Sequence, residues 1–273
     1  MAPGVTAGSR LIVVGVDVRN AEVVRLGLGH GEDPTTLLAA HGWQVQGVRD
    51  VTRHPVDRHA LIMTFAVDQH FAPPQTVAAL GVHRHTDDET VTFEGEVPLR
   101  HQRVAAYAVV ISSAGMLMTQ FSDLTGAPGQ WGLPGGGLDP EEAPDHAVVR
   151  EVWEESGQLI EVGELALVRT SRWVGRAPTG RLEDFHAVRV VYRALCPEPT
   201  EPVVHDVGGT TASAAWLSPA DVDLLALTPG WRSILRDVAR LGGLEVVTAP
   251  DETDGPDHHH HDTDADGRAR PQM

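Results

Sequence analysis

The sequence contains no lysine: all 21 of its basic residues are arginine. That excludes Schiff-base chemistry and the lysine on which a Walker-type phosphate loop depends. A single cysteine, Cys196, excludes an intramolecular disulfide and fits a reducing compartment. No apolar run approaches the roughly 18 residues of a membrane-spanning helix, and residues 11–16 are too short for a signal segment. The chain therefore reads as cytoplasmic, with no membrane association. Positive charge is also scarce, with a formal net charge of −17. Tracking contacts with DNA or long RNA need clustered cations and are not expected. An acidic protein that handles phosphate esters needs divalent cations between its carboxylates and the substrate.

What is present divides into three parts. Apolar content of 41% supports a packed core, and 273 residues suffice for one large domain or two modest ones. Residues 1–100 read as a small α+β N-terminal domain. It has an apolar strand over 11–18, a weaker one over 22–28, and a short helix opened by Asp33 and Pro34 and ended by Gly42. Two alternating strands follow over 43–51 and 59–67, which gives a ββαββ unit on its own sheet. This unit lacks any cluster of His, Cys or acids at ligand spacing. It is therefore assigned to packing, to a homodimer contact or to substrate coverage, and a chain beginning near Pro98 is expected to retain metal-dependent hydrolysis if it stays soluble, with substrate affinity or oligomeric state open to change. Residues 101–245 form the second domain: strands over 105–111 and 116–121, a glycine-rich loop, a helix, strands over 164–172 and 186–194, and a helical region over 220–241. Residues 246–273 form an acidic, His-containing tail with seven acids and two arginines, expected to be disordered. Its run from His258 to His261 has no partner residues at ligand spacing and is not read as a defined metal site.

The informative stretch is 135–157, Gly-Gly-Gly-Leu-Asp-Pro-Glu-Glu-Ala-Pro-Asp-His-Ala-Val-Val-Arg-Glu-Val-Trp-Glu-Glu-Ser-Gly. Three glycines permit a sharp bend and close approach of backbone to a ligand. Pro144 suits a first helical turn, and Gly157 a helix stop. Between them Val148, Val149, Val152 and Trp153 are placed on one arc, and Glu151, Glu154 and Glu155 on a separate, solvent-side one. Like charges at these spacings destabilise an isolated helix, whereas a bound divalent cation turns repulsion into attraction. Arg150 lies beside the acids, placed to orient one of them by a forked hydrogen bond. Taken alone, a Glu-rich helix is ordinarily a solvated surface.

The combination resembles the Nudix box: Gly, five residues, Glu, seven residues, then Arg-Glu-aliphatic-any-Glu-Glu-any-Gly-aliphatic. Gly136, Glu142, Arg150, Glu151, Val152, Glu154, Glu155 and Gly157 match, and Gln158 departs from the final aliphatic position. The resemblance covers about 103–241 and implies a Nudix-type α/β/α sandwich around a mixed sheet. It implies metal-dependent hydrolysis of a diphosphate bond in a nucleoside diphosphate linked to another moiety, such as a nucleoside triphosphate or a nucleotide sugar. Carried over, Glu151, Glu154 and Glu155, with the Gly136 carbonyl, hold Mg2+ or Mn2+. Glu151, Glu154 and Arg150 are the catalytic candidates, and Glu142 supports Arg150. The general base is Glu151 or a downstream acid, Glu183 or Asp184. Those two equally suit an ordinary polar hairpin. Trp131 and Trp173 are candidates for stacking a nucleobase, against the commoner role of core or edge packing. His186 either faces the cleft or is structural. Trp173 and Val174 occupy the positions where ADP-ribose and dinucleoside polyphosphate subclasses carry Pro and Tyr, so neither subclass is indicated. The alternative is a nucleotide-sensing, non-catalytic Nudix regulatory protein. The complete set of box carboxylates and the lack of a basic winged helix favour the enzyme.

Overall fold

The computed structural model describes residues 10–69, 83–84, 95–177 and 180–241. The expected tail over 246–273, and most of the polar connection between the two domains, lie outside the described residues.

The first sheet is built from β1 (Leu11–Val16), β2 (Glu22–Gly27), β3 (Trp43–Arg53) and β4 (Leu61–Gln69), with α1 (Pro34–Ala40) between β2 and β3. The order is β2-β1-β4-β3, with β1 and β4 parallel at the centre and the other pairs antiparallel. The ββαββ order expected from the sequence is the order observed. Every residue of β1 is buried, as a continuous apolar run in a central strand requires. At the start of α1, the Asp33 carboxylate accepts hydrogen bonds from Thr35 N and Thr36 N, both 3.0 Å, and so caps the helix.

The second sheet holds β5 (His83–Arg84), β6 (Leu99–Ser112), β7 (Gly115–Phe121), β8 (Trp131–Gly132), β9 (Gly135–Gly137), β10 (Glu161–Arg176), β11 (Leu182–Leu195) and β12 (Thr211–Leu217). Its helices are α2 (Pro144–Ser156), α3 (Pro219–Leu224) and α4 (Pro229–Arg240). The main path runs β12-β7-β6-β11-β10-β5, while β8 pairs with β7 and β9 with β6. Both β6 with β11 and β5 with β10 are parallel and the other pairs antiparallel, so the sheet is mixed. Strands β6, β10 and β11 run beyond their apolar centres into mixed polar segments.

Alternation along the strands separates two faces. On one face Ala106, Ala108, Val110, Val188, Val190 and Tyr192 join Ala147, Val148 and Val152 of α2. On the other, Val109, Ile111, Leu167 and Val191 pack under Trp231, Ile234, Leu235 and Val238 of α4. The arrangement is an α/β/α sandwich. The α2 core also contains Leu11, Val13, Leu38, Met63 and Phe65 of the first sheet. The two sheets thus share one apolar core, and removing residues 1–97 would open it. Each large side chain buried there is worth about 1.5–3 kcal/mol, so a chain lacking residues 1–97 would lose part of the cover of the α2 core.

Candidate functional site

Helix α2 begins with Pro144 and closes at Gly157, which is left-handed at φ 69° and returns its N–H to Trp153 O at 2.8 Å. Its buried face is Ala147, Val148, Val152, Glu155 and Ser156. This corrects the arcs drawn from the sequence. Glu155 follows Val148 by seven residues, nearly two full turns, and points the same way. Val149 and Trp153, placed with the apolar arc, are exposed, and Trp153 stacks on His205 with ring centroids 4.5 Å apart.

Glu155 is therefore no solvent-side carboxylate. It accepts a hydrogen bond from Gly135 N at 2.9 Å and another from the Thr211 hydroxyl. Burial pushes its pKa up to about 7 even though both hydrogen bonds favour the anion. It holds the glycine loop to the helix from below. Glu151 is half-buried and its pKa is also raised, first by burial and further by the neighbouring Glu154; Arg150 opposes the rise. Glu154 is the most open of the three acids.

Arg150 is the hub of the site. Its Nε and Nη2 donate to the two Glu142 oxygens at 2.9 Å each, and Nη2 also reaches Gly137 O at 3.1 Å. Its Nη1 donates to Glu151 at 3.0 Å and to Glu154 at 3.1 Å. One guanidinium thus spaces three carboxylates, and the fork to Glu142 holds that acid below its usual pKa. Glu142 in turn accepts Asp139 N at 2.9 Å, closing the loop between β9 and α2.

The glycines are needed because β9 is a strand pressed against β6. Gly135 has φ 136°, and a Cβ there would stand 2.2 Å from Ala106 O. A Cβ on Gly136 would lie 2.5 Å from the Glu151 carboxylate, so the missing side chain leaves open the space that this acid faces. Gly137 lies against the Arg103 guanidinium in the same way.

Arg103, Tyr107 and Arg189 were not singled out in the sequence. Register places them on the α4 face of β6 and β11, together with Ser171 of β10. Arg189 Nη1 donates to Ser171 Oγ at 2.8 Å, and its guanidinium lies 5.6 Å from the Trp231 ring centroid. Tyr107 meets Trp231 edge-on at 4.6 Å, and burial raises its pKa. The available signal was cationic residues spaced at even intervals within otherwise apolar strands.

The remaining candidates separate by strand parity. Trp173 and Glu183 lie on this same face, toward its far end. Trp173 stacks on Phe185 at 4.4 Å, and Glu183 pairs with His101 at 3.3 Å. Trp131 packs half-buried against the α4 core at the sheet edge, with its backbone N–H donated to Ala226 O at 3.0 Å. Asp184 points to the opposite face, the one on which α2 packs. Arg172 Nε binds it at 2.7 Å and His30 Nε2 lies 3.2 Å away, and the Arg172 bond first of all pulls its pKa down to about 2. His186 lies on that same face, fully buried. Its Nδ1 lies 2.8 Å from Gln102 Nε2, it meets His30 edge-on, and burial holds the ring neutral with a pKa of about 4.

Gln158, the departure from the box pattern, is fully buried with its amide satisfied. Its Nε2 donates to Ser156 O at 3.1 Å and Thr200 Oγ1 at 3.0 Å, and its Oε1 accepts Thr200 N at 3.0 Å.

Among the described residues, no three His, Cys, Asp or Glu side chains are already gathered around a metal position. Arg150 holds the box acids in their present spacing. A cavity of about 380 Å3 lies under α3 and α4 beside Ile111, Met116, Leu227 and Leu235, and no box carboxylate lines it.

A family model described as the NUDIX domain matches residues 101–238. A MutT-like protein of Streptomyces ambofaciens is 33% identical over 131 residues, 47% of this chain and 71% of that protein. Nucleoside triphosphatase NudI of Escherichia coli is 26% identical over 142 residues, 50% of this chain and 95% of that protein. A mouse diphosphoinositol polyphosphate phosphohydrolase 3-alpha is 55% identical over only 38 residues, 14% of this chain and 23% of that protein.

Proposed function

The chain belongs to the NUDIX family and is a pyrophosphohydrolase of that family; from that premise we propose that it cleaves a nucleoside diphosphate linked to another moiety, in a reaction dependent on Mg2+ or Mn2+. The observation that carries the reading is the single Arg150 network. It spaces Glu142, Glu151 and Glu154 beside a glycine loop that opens toward Arg103.

The donor set suits a hard divalent cation: carboxylate oxygens of Glu151, Glu154 and Glu155 with the Gly136 carbonyl, at a loop whose missing Cβ leaves space before Glu151. Such a cation supplies neutralisation of the diphosphate oxygens and a lowered pKa for the attacking water. The chain's own residues do the rest. Glu151, half-buried with a raised pKa, takes the proton from the water. Arg150 keeps Glu151 and Glu154 apart and aimed at the loop. Arg103 and Arg189 offset phosphate charge along the α4 face. Trp173 stacked on Phe185 offers a flat surface for a base at the far end. Among the linked moieties, a further phosphate is favoured, because the relative matched across nearly its whole length is named a nucleoside triphosphatase.

The test is a panel of nucleoside triphosphates and nucleotide sugars assayed with Mg2+ and with Mn2+, the products separated by ion exchange. Release of a nucleoside monophosphate with metal, and none with chelator, is expected. Tight binding of a nucleotide with no turnover under either metal would replace the enzyme with a sensor.

A further inference from the structure

We infer that Arg53, at the end of β3 in the N-terminal sheet, is a positioning residue for the hydrolytic site, so that residues outside the family match complete that site. The inference rests on the role proposed above for the box acids. Arg53 Nε donates to the Glu142 carbonyl at 2.6 Å, and its Nη2 lies 3.4 Å from Asp139 O. Arg58, on the turn between β3 and β4, reaches Glu141 at 3.3 Å. Two arginines of the first sheet thus clasp the loop from Asp139 to Glu142.

That loop needs an external hold. Glu141 sits at φ 64°, a left-handed conformation that a residue with a Cβ keeps only when its surroundings impose it. The same loop delivers the Glu142 carboxylate to Arg150, and Arg150 delivers Glu151 and Glu154. The linkage therefore runs from Arg53 through a main-chain carbonyl, a carboxylate and a guanidinium to the acids. Each link is a charge-assisted hydrogen bond of defined direction. The hydrogen bonds of Arg53 go to main-chain carbonyls and not to Glu151 or Glu154; it acts by fixing where Glu142 stands.

The experiment compares full-length wild type, Arg53→Ala and Arg53→Lys. Amide hydrogen exchange is read peptide by peptide without metal, Mn2+ binding by electron paramagnetic resonance, and kcat and KM on the nucleotide turned over best. In Arg53→Ala, exchange is expected to rise in the loop over 138–143 and not in β1 or β11. Mn2+ binding should weaken and kcat fall by about tenfold, as for other outer partners of metal ligands, with KM little changed. Arg53→Lys, which keeps one donor, should recover part of each. Exchange that rises across both sheets, or that leaves the loop unaltered, overturns the assignment, as does unchanged Mn2+ binding and kcat. A wild type that turns over no nucleotide, with exchange still loosened only in the loop, refutes the hydrolytic reading and leaves the clasp standing.

Discussion

Replacing Glu155 by Gln should stabilise the metal-free protein at alkaline pH while removing its activity. The side chain is 7% exposed, and burial raises its pKa from the ordinary 4.5 to about 7. A folded pKa above the unfolded one gives stability that is complete below pH 4.5 and is lost as pH rises through about 7. At about 1.4 kcal/mol per pH unit of displacement, the wild type carries about 3 kcal/mol of penalty by pH 8 and about 1 kcal/mol at pH 5. Glutamine has the same shape. Its carbonyl accepts from Gly135 N and its amide donates to the Thr211 oxygen, so the hydrogen bonds at this point are kept without the charge. Urea denaturation in the presence of chelator, at pH 5 and at pH 8, measures the difference. The variant should gain on the wild type by about 2 kcal/mol between the two conditions. With metal and nucleotide restored, the same variant should be inactive if Glu155 completes the cation site. A stability difference that is constant with pH would refute the claim that a buried charge is held at this point.

Three further outcomes follow from other parts of the structure. Glu154→Gln, at an open position on α2, should leave the melting temperature unchanged and reduce turnover about a hundredfold, and near-wild-type rates would remove it from the cation site. Gly135→Ala forces a Cβ to 2.2 Å from Ala106 O at φ 136°, and should cost about 3 kcal/mol or more in urea denaturation. His186 has a folded pKa of about 4 against 6.5 unfolded, so its contribution is complete above pH 6.5 and lost as pH falls to about 4. The wild type should lose up to about 3 kcal/mol across that window, and His186→Gln should flatten the slope; parallel slopes would sink this reading.

The box helix was legible because Pro144, Gly157 and the spacing of the acids are local signals. Glu155 was misplaced because grouping by charge overrode the seven-residue period that puts it beside Val148. The strand ends at Leu99 and Leu182 were missed for a different reason. They carry polar residues that pair through the backbone, and hydrophobic patterning does not register backbone pairing. Glu183 and Asp184 were treated as a pair, although neighbours on a strand face opposite ways, so only one of them reaches the α4 face. The shared core was invisible in principle. Alternating apolar residues in β3 and β4 announce a buried face without saying whether their own domain or another sheet covers it. Arg53 reads as an ordinary surface cation until its partner, the backbone carbonyl of Glu142, is located.

Gln158 has a consequence for how the chain tolerates change. At this position the aliphatic residue of the box pattern is the harmful substitution. An aliphatic side chain would leave Thr200 N without its acceptor at a part-buried contact, a loss of about 0.5–1.5 kcal/mol. Polarity at 158 and the hydroxyl at 200 are thus a matched lock, and drift at either position is confined by the other. A motif read one letter at a time marks Gln158 as an error, whereas read together with Thr200 it is a second solution to closing the end of the same helix.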